Sequence, residues 1–377
     1  MSEGKRAAPW FCAVLVAAVA LSGSLTGFAQ KKAQVQPQPG QELVWPLPPD
    51  TPRVRWVSQF SSAEEVEQKK KKRSWFERVA GAKEESERPR RLAVPYGIAV
   101  DSQGRIFVTD WASGGVLVFD RAARKVDVWG PDRGLRMRLP LGVTVGEDDR
   151  VFISDADLRT VTCVNRDGTV VRQFGQDKLE RPVGLAVDKV RHRLYVADTM
   201  GHRIAVFSSE SFEFVKYIGR KGDAREPGTF RAPLSVAVDG RGFLYVVDTF
   251  NHRVQVFNRQ DRFHSEFGTH GRGVGQFARP KGVAVDSEGH IYVTDAEFNN
   301  FQIFDQQGQP LLFVGTRGVQ PGQFTLIAGI FIDEKNQIYT TEQAANPRVQ
   351  IFQYVAQPQA TGGKEVGQEK QRPSAFE

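Results

Sequence analysis

Short apolar runs separated by polar turns recur along most of the chain. One kind of run opens with Pro-x-Gly and ends in Val-Asp, as in residues 182–188 and 280–286, and a second follows after a short turn, as in 194–198. Runs of this length, rich in Val, Ile, Tyr and Phe, are typical of β-strands. The first run is apolar throughout, which is typical of a strand buried on both faces. The pattern therefore predicts a chain built almost entirely of strands.

The two-part pattern occurs six times, with a weaker last copy. The Gly that follows Pro-x in most copies is replaced by Ser235 in the fourth copy, and Gly329 of the sixth follows Ile-Ala. These positions recur at intervals of 45, 42, 51, 47 and 47 residues. The third copy contains four strand-like runs, at 184–187, 193–197, 204–207 and 214–218. A period of 40 to 50 residues with only strand-like content indicates propeller blades. The prediction is an all-β, six-bladed β-propeller of four-stranded blades.

The sixth copy ends after three strands, and a candidate for its missing fourth strand lies near the N-terminus. Residues 53–60 read as a fourth strand without a blade, and Phe60 falls where Trp129 and Phe267 end other fourth strands. An unpaired edge would favour aggregation. We therefore expect the N-terminal strand to complete the last blade and close the ring.

At these positions the chain resembles a known family. Pro-x-Gly, a second strand ending in Asp, and Asn-His-Arg-Val-Gln-Val-Phe at 251–257 are similar to the NHL repeat, with Arg in place of the family's Leu. The segments 268–280 and 315–324 resemble that family's inter-blade loop. The resemblance covers about residues 53–354 and implies a six-bladed propeller. The segment 45–53 is similar to exported bacterial members.

The ends of the chain differ from the repeats. Residues 1–29 have a basic start, a 12-residue apolar run and a small-x-small site, as in a secretory signal peptide. Such a signal predicts export to the periplasm or the extracellular space, and an uncleaved anchor is the alternative. We expect a linker at 30–44, the propeller at 45–354 and a disordered tail at 355–377.

Residues 62–91 interrupt the pattern before the first blade with a basic insert. Ser74 and Glu77 are spaced as a capping box, and Trp75, Phe76 and Val79 form one apolar stripe. The pattern predicts a short helix packed on the propeller. A contact with an anionic membrane surface and a disordered insert are the alternatives.

Composition excludes several kinds of chemistry. With two Cys among 377 residues, the chain forms neither a disulfide scaffold nor a four-Cys zinc site. No P-loop, G-x-S-x-G or H-E-x-x-H motif is present. The sequence therefore predicts no catalytic residue, no metal ligand and no cofactor.

Two sets of polar residues recur with the repeats, and recurrence favours a structural role for both. One set contains His202 and His252, each followed by Arg; the other is the carboxylate after each second strand. Six-bladed lactonase-type propellers hold a central calcium or zinc with Glu, Asp and Asn. Lyases that resemble NHL proteins use a His between Pro and Gly. That position carries no His here; it holds Tyr96, Leu141, Val183, Leu234, Lys281 and Ala328.

The loops that join each fourth strand to the next first strand are rich in basic residues, and the chain has a net charge of +7. In a propeller these loops share one face, so they predict a positive rim around the channel. The predicted binding residues are Tyr96, Arg138, Arg181, Arg231, Arg279 and Lys281.

From these patterns we expect an exported binding or scaffold module, and the oligomeric state stays open. Its partner would be a protein or peptide of the cell envelope, or an anionic glycan. We do not expect nucleic acid, and we expect membrane contact only through an uncleaved signal or the basic insert. The alternative is a metal-dependent hydrolase or lyase of the lactonase type, with a central calcium or zinc.

Overall fold

The computed structural model describes residues 42–67, 90–222 and 226–355. The expected signal at 1–29, most of the linker, the helix beginning at Ser74 and the tail from 356 lie outside the described residues. In the described part of the insert, a single helical turn spans Ala63–Val66. No helix within the described ranges is long and apolar enough to cross a membrane.

The strands form six antiparallel sheets of the propeller type, which confirms the predicted fold class. In blades one to five the strands follow chain order from the channel outward, so the turns between them are short hairpins. In blade six the three inner strands follow chain order and the outer strand comes from the N-terminal part of the chain. From the channel outward, the strands are Pro95–Val100, Ile106–Asp110, Gly115–Asp120 and Lys125–Trp129 in blade one; Pro140–Val145, Val151–Asp155, Thr160–Val164 and Val170–Phe174 in blade two; Pro182–Asp188, Arg193–Asp198, Arg203–Ser208 and Phe214–Ile218 in blade three; Pro233–Val238, Leu244–Asp248, Arg253–Phe257 and Phe263–Phe267 in blade four; Pro280–Val285, Ile291–Asp295, Asn300–Phe304 and Pro310–Val314 in blade five; and Ile327–Ile332, Gln337–Glu342, Arg348–Tyr354 and Val54–Phe60 in blade six.

Shorter elements lie at the edges of the blades. They are a parallel strand pair at Arg220–Lys221 and Thr229–Phe230, a strand at Val44–Trp45, and 3-10 turns at Pro131–Arg133, Glu147–Asp149 and Thr249–Asn251.

The hydrophobic core lies between adjacent blades rather than in one central cluster. Between blades one and two, for example, Phe107 and Trp129 pack with Val143 and Ile153, and the Phe107 and Trp129 ring centroids are 5.2 Å apart. Second and third strands have a neighbouring blade on each face, so their side chains are buried on both. Fourth strands face solvent, and Val170–Phe174 is mostly exposed. This gradient explains why the first runs of each repeat are apolar and the last runs mixed.

The closing strand is present as predicted. Val54–Phe60 pairs antiparallel with Arg348–Tyr354, and Phe60 lies opposite Val349. The Phe60 ring packs against Phe119 of blade one with centroids 4.7 Å apart, which joins the last blade to the first. The two-residue strand Val44–Trp45 then adds a fifth strand outside it. Sequence analysis did not predict this fifth strand, because two residues carry no periodic signal.

Hydroxyl groups connect neighbouring blades around the channel. In each blade, a Ser or Thr at the end of the second strand donates a hydrogen bond to a backbone carbonyl of the next inner strand. The distances are 2.6–3.0 Å, and the donor–acceptor pairs are Thr109 and Leu141, Ser154 and Val183, Thr199 and Pro233, Thr249 and Pro280, Thr294 and Ala328, and Thr341 and Tyr96. We call this set the hydroxyl ring.

The Gly of the Pro-x-Gly pattern is required by the same close approach. A Cβ placed on Gly142 would lie 1.9 Å from the carbonyl oxygen of Val183, and one on Gly97 would lie 2.4 Å from that of Leu141. Neither glycine has a positive φ. Space between inner strands, rather than backbone conformation, therefore selects glycine here.

Candidate functional site

The inner strands surround a central channel with a cavity of about 370 Å³. This volume is within the usual range for small-ligand sites. Its walls are mostly backbone and branched apolar side chains such as Ile98, Val143 and Val283. The end at which the inner strands begin also carries the loops between blades, and we call that side the basic loop face.

The mouth of the channel on the basic loop face is apolar apart from one side chain. The second residue of each inner-strand pattern forms the mouth, and five of these six residues are uncharged. Leu141 and Val183 are buried there, with Tyr96 and Leu234 packed against them. Lys281 is the exception. Tyr96, Leu234 and Lys281 all line the cavity.

Lys281 is held at the mouth by uncharged groups. Its Nζ donates a hydrogen bond to Oε1 of Gln343 at 2.8 Å and lies 5.5 Å from the centroid of the Tyr96 ring. Such a cation–π contact is favourable. Burial, together with a smaller effect of the nearby Arg279 guanidinium, lowers the pKa of Lys281 to about 8. No carboxylate of the described residues lies within ion-pair distance of this ammonium.

Tyr96 is enclosed at the same mouth. Burial raises the pKa of its hydroxyl to about 12, an effect that the positive charge of Arg181 partly opposes. The hydroxyl is therefore neutral at physiological pH. The structure thus brings together three of the predicted site residues, Tyr96, Arg181 and Lys281.

Second-strand carboxylates position the predicted arginines. The backbone N–H of Arg138 donates to Asp155 at 2.6 Å, and that of Arg231 donates to Asp248 at 2.7 Å. Arg181 and Arg279 are held in the same way by the carboxylates of blades three and five. The backbone of the loop is fixed by these bonds, while the guanidinium group stays free to reach outward.

Three of the predicted arginines have no ion pair within the described residues. Arg138 and Arg231 are exposed and Arg181 is half-buried, and none lies within 4.0 Å of a carboxylate oxygen. Arg279 is exposed and has Glu297 3.6 Å from its Nη2. Arg138, Arg181 and Arg231 therefore present positive charge around the mouth with no partner among the described residues, and Arg279 shares its charge with Glu297.

Other basic residues of the same loops are neutralised locally. Arg133 pairs with Asp127, Lys178 with Asp177, and Arg220 with Glu226. The positive surface of the loops is therefore smaller than their composition suggests.

The recurring carboxylates and His202 have structural roles. Asp110 accepts hydrogen bonds from four backbone N–H groups in the loop and turn beside it, and its counterparts in the other blades bind the equivalent loops. The Nδ1 of His202 accepts a hydrogen bond from the backbone N–H of Ala232 at 3.0 Å. Arg253 forms an ion pair with Asp248 at 3.0 Å. Among the described residues, no three His, Cys, Asp or Glu side chains are grouped to hold a metal.

Sequence reasoning missed the apolar part of the basic loop face. Trp111, Met200 and Phe250 follow the second strands of blades one, three and four and are 43%, 56% and 58% exposed. They belong to turns on the same face as the arginines. Each of them lies one or two residues after the carboxylate that ends a second strand. This position could have predicted their exposure, because the turn between the second and third strands lies at the surface.

Six four-stranded blades around a channel, closed by an N-terminal strand, define the protein as a six-bladed β-propeller. Its repeats match the NHL repeat at residues 179–207, 230–257 and 277–304, which lie in blades three, four and five. Three blades of this β-propeller therefore carry NHL repeats. The resemblance noted in the sequence is thereby confirmed.

Solved structures share this fold at low identity. A structural genomics protein of unknown function from Bacteroides thetaiotaomicron is 17% identical with a TM-score of 0.55, and the match covers 70% of each chain. A gluconolactonase from Xanthomonas campestris is 17% identical with a TM-score of 0.54, over 70% of this chain and 87% of that one. An auxiliary nutrient binding protein from Bacteroides thetaiotaomicron is 14% identical with a TM-score of 0.55, over 69% of each chain. No curated protein matches the chain significantly.

Proposed function

We propose that the protein is an exported binding module that engages an acidic protein or peptide on its basic loop face. The observation that carries this proposal is that Arg138, Arg181 and Arg231, around an apolar channel mouth, have no ion pair within the described residues. Arg138 and Arg231 are held at the backbone by buried carboxylates, yet their side chains are exposed. A fixed backbone with free guanidinium groups suits recognition of carboxylates.

The apolar residues on this face favour a protein or peptide over a glycan. Trp111, Met200 and Phe250 are exposed on the turns beside the arginines. Aromatic residues, Met and Arg are enriched in protein interfaces. A glycan partner would use the arginines but would gain less from the exposed Met200. Export is supported by the pattern of residues 1–29 and stays a prediction.

Charge reversal on the basic loop face, compared with the same charge reversal at the opposite ends of the blades, tests the proposal. We expect the triple substitution of Arg138, Arg231 and Arg279 by Glu to weaken binding of a pool of Glu- and Asp-rich peptides at least about tenfold, because each lost charge-assisted contact costs about 1.5–3 kcal/mol. The matched control replaces Arg166, Lys189 and Lys335, which are exposed hairpin residues at the opposite ends of the blades, by Glu. Affinity is measured by calorimetry.

The control separates a specific face from net charge, since both triple variants carry the same charge change. Equal losses in the two variants would disprove a specific basic loop face. Binding of sulfated oligosaccharides in preference to the acidic peptides would favour the glycan partner instead.

The alternative of a lactonase-type hydrolase or lyase is tested by metal analysis of the purified protein. The carboxylates that end the second strands are engaged with backbone N–H groups, as Asp110 and Asp155 show. A stoichiometric amount of tightly held calcium or zinc would favour that enzyme over a binding module.

A further inference from the structure

The channel mouth contains a positive charge that nothing in the described chain balances. Lys281 is the one charged residue among the six that form the mouth. Within the part of the chain that the structure describes, its Nζ interacts with the Gln343 amide oxygen and the Tyr96 ring and has no ion pair. A partly buried ammonium without a carboxylate is costly. The other positions of the mouth show that an apolar residue fits there, so stability alone does not require a lysine.

The surroundings make this position selective for an anion. The charged and titratable groups around Lys281 are Arg279, which precedes the same inner strand, and Tyr96, on which Arg181 acts. The hydroxyl of Tyr96 stays neutral, since burial raises its pKa to about 12. Glu297 lies at the rim, beside Arg279. One negative charge placed on the Lys281 ammonium would therefore have Arg279 and the neutral Tyr96 as its neighbours among the described residues, while the Glu297 carboxylate at the rim is paired with Arg279.

The rest of the mouth favours an apolar group beside that charge. Leu141 and Val183 form a small apolar cluster with Tyr96 and Leu234 packed against it. Below it the channel continues between apolar walls. A ligand that places a carboxylate on Lys281 would bury an adjacent hydrocarbon group against this cluster, at about 25 cal/mol per Å².

From this geometry we propose that Lys281 binds the C-terminal carboxylate of the partner, and that the partner's last side chain is apolar. This inference rests on the proposed function, because the arginines around the mouth would bind acidic residues upstream. A C-terminal carboxylate enters the mouth with one segment of backbone behind it. An internal Asp or Glu would require the mouth to admit the backbone segments on both sides of that residue.

Paired peptides test the inference. Two pools of acidic peptides that end in Leu, identical except for a free carboxylate or an amide at the C-terminus, are titrated into the full protein. We expect the free-acid pool to bind at least about tenfold more tightly at pH 7. We expect Lys281→Met to abolish this preference and the matched control Lys335→Met, at the opposite end of the channel, to retain it.

A pH series on the unsubstituted protein gives a readout that needs no variant. The ammonium binds the carboxylate only while protonated, so the preference for the free acid should fall as the pH rises above the pKa of Lys281. Lys281→Arg, which keeps the charge at high pH, should retain the preference where the native protein has lost it.

The outcomes distinguish this inference from the proposed function. Equal binding of acid and amide by the native protein would overturn it, as would a preference that survives Lys281→Met. In either case, loss of peptide binding in the triple Arg variant would leave the proposed function standing. N-acetyl-leucine binding as tightly as the peptides would show that a small carboxylate, and not a chain end, occupies the mouth.

Discussion

At the residue scale, single hydroxyl groups connect neighbouring blades, a role that composition does not reveal. The Oγ1 of Thr341 accepts a hydrogen bond from the N–H of Gly329 at 2.9 Å and donates one to the carbonyl of Tyr96 at 2.6 Å. It therefore ties blade six to blade one at the point of closure. In blades three and four the chain has Ala197 and Val247 at this position, and a Thr two residues later makes the contact to the next blade.

We expect Thr341→Val to lower the free energy of unfolding by about 1–3 kcal/mol, because it removes the hydrogen-bond partner of a partly buried N–H and of a partly buried carbonyl. The shape of the side chain is nearly kept, so packing should change little. Urea unfolding measures the effect. Thr144→Val is the control, since the Thr144 hydroxyl has no hydrogen bond to the described residues. Equal losses in the two variants would contradict the role of the hydroxyl ring.

The burial of Lys281 predicts how the stability of the protein depends on pH. Burial lowers its pKa in the folded protein to about 8, while the pKa of an unfolded lysine is about 10.4. Between these values the unfolded chain binds more protons, so stability rises with pH in this window. Below pH 8 the cost of burying the ammonium is present in full.

We therefore expect Lys281→Met to be more stable than the native protein at pH 7 and to lose that advantage between about pH 8 and 10.4. Urea unfolding at both ends of this range, with Lys335→Met as the control, measures the difference. A destabilised Lys281→Met variant at pH 7 would show that the ammonium supports the fold instead.

At the element scale, the closing strand decides whether six blades form a ring. Val54–Phe60 supplies the outer strand of blade six, and Arg348 links it to the preceding strand and loops. The Arg348 guanidinium forms an ion pair with Glu342 and donates to Gln59 at 2.9 Å. Both ions of the pair are almost fully buried. Burial raises the pKa of Glu342 despite this partner.

We expect Phe60→Ala to lower the free energy of unfolding by about 3–5 kcal/mol, the usual cost of truncating a buried Phe. Hydrogen exchange should then accelerate in Arg348–Tyr354 more than in Arg203–Ser208 of blade three, because the last blade loses its closure. Phe263→Ala, on an exposed outer strand, is the matched control. Uniform acceleration in all blades would argue against a local closure by this strand.

At the scale of the whole molecule, the ring sorts residues onto faces that lie far apart in sequence. Arg138, Arg231 and Arg279 come from three different repeats and share a face because every inner strand begins there. The exposed Trp111 and Phe250 lie on the same face, because the second strands run antiparallel to the inner strands and end where the inner strands begin. Repetition alone therefore produces one surface that combines positive charge with apolar groups.

The sequence by itself determined the blade number, the four strands of each blade and the closure by the N-terminal strand. Those features depend on local apolar periodicity and on a pattern repeated six times, and both are readable along the chain. The basic residues near the starts of inner strands were also readable, since chain direction fixes their face. Their role in binding stays a prediction, as do the domain boundaries.

Only the tertiary structure decided which of these residues have free charge and which are neutralised. Arg133 pairs with Asp127, whereas Arg138, five positions later, has no ion pair within the described chain. It also showed that Lys281 stands beside Tyr96 from a blade 185 positions earlier in the numbering. The physical reason is that pairing, burial and the field at a site depend on distances across the ring, and these distances have no counterpart in sequence spacing.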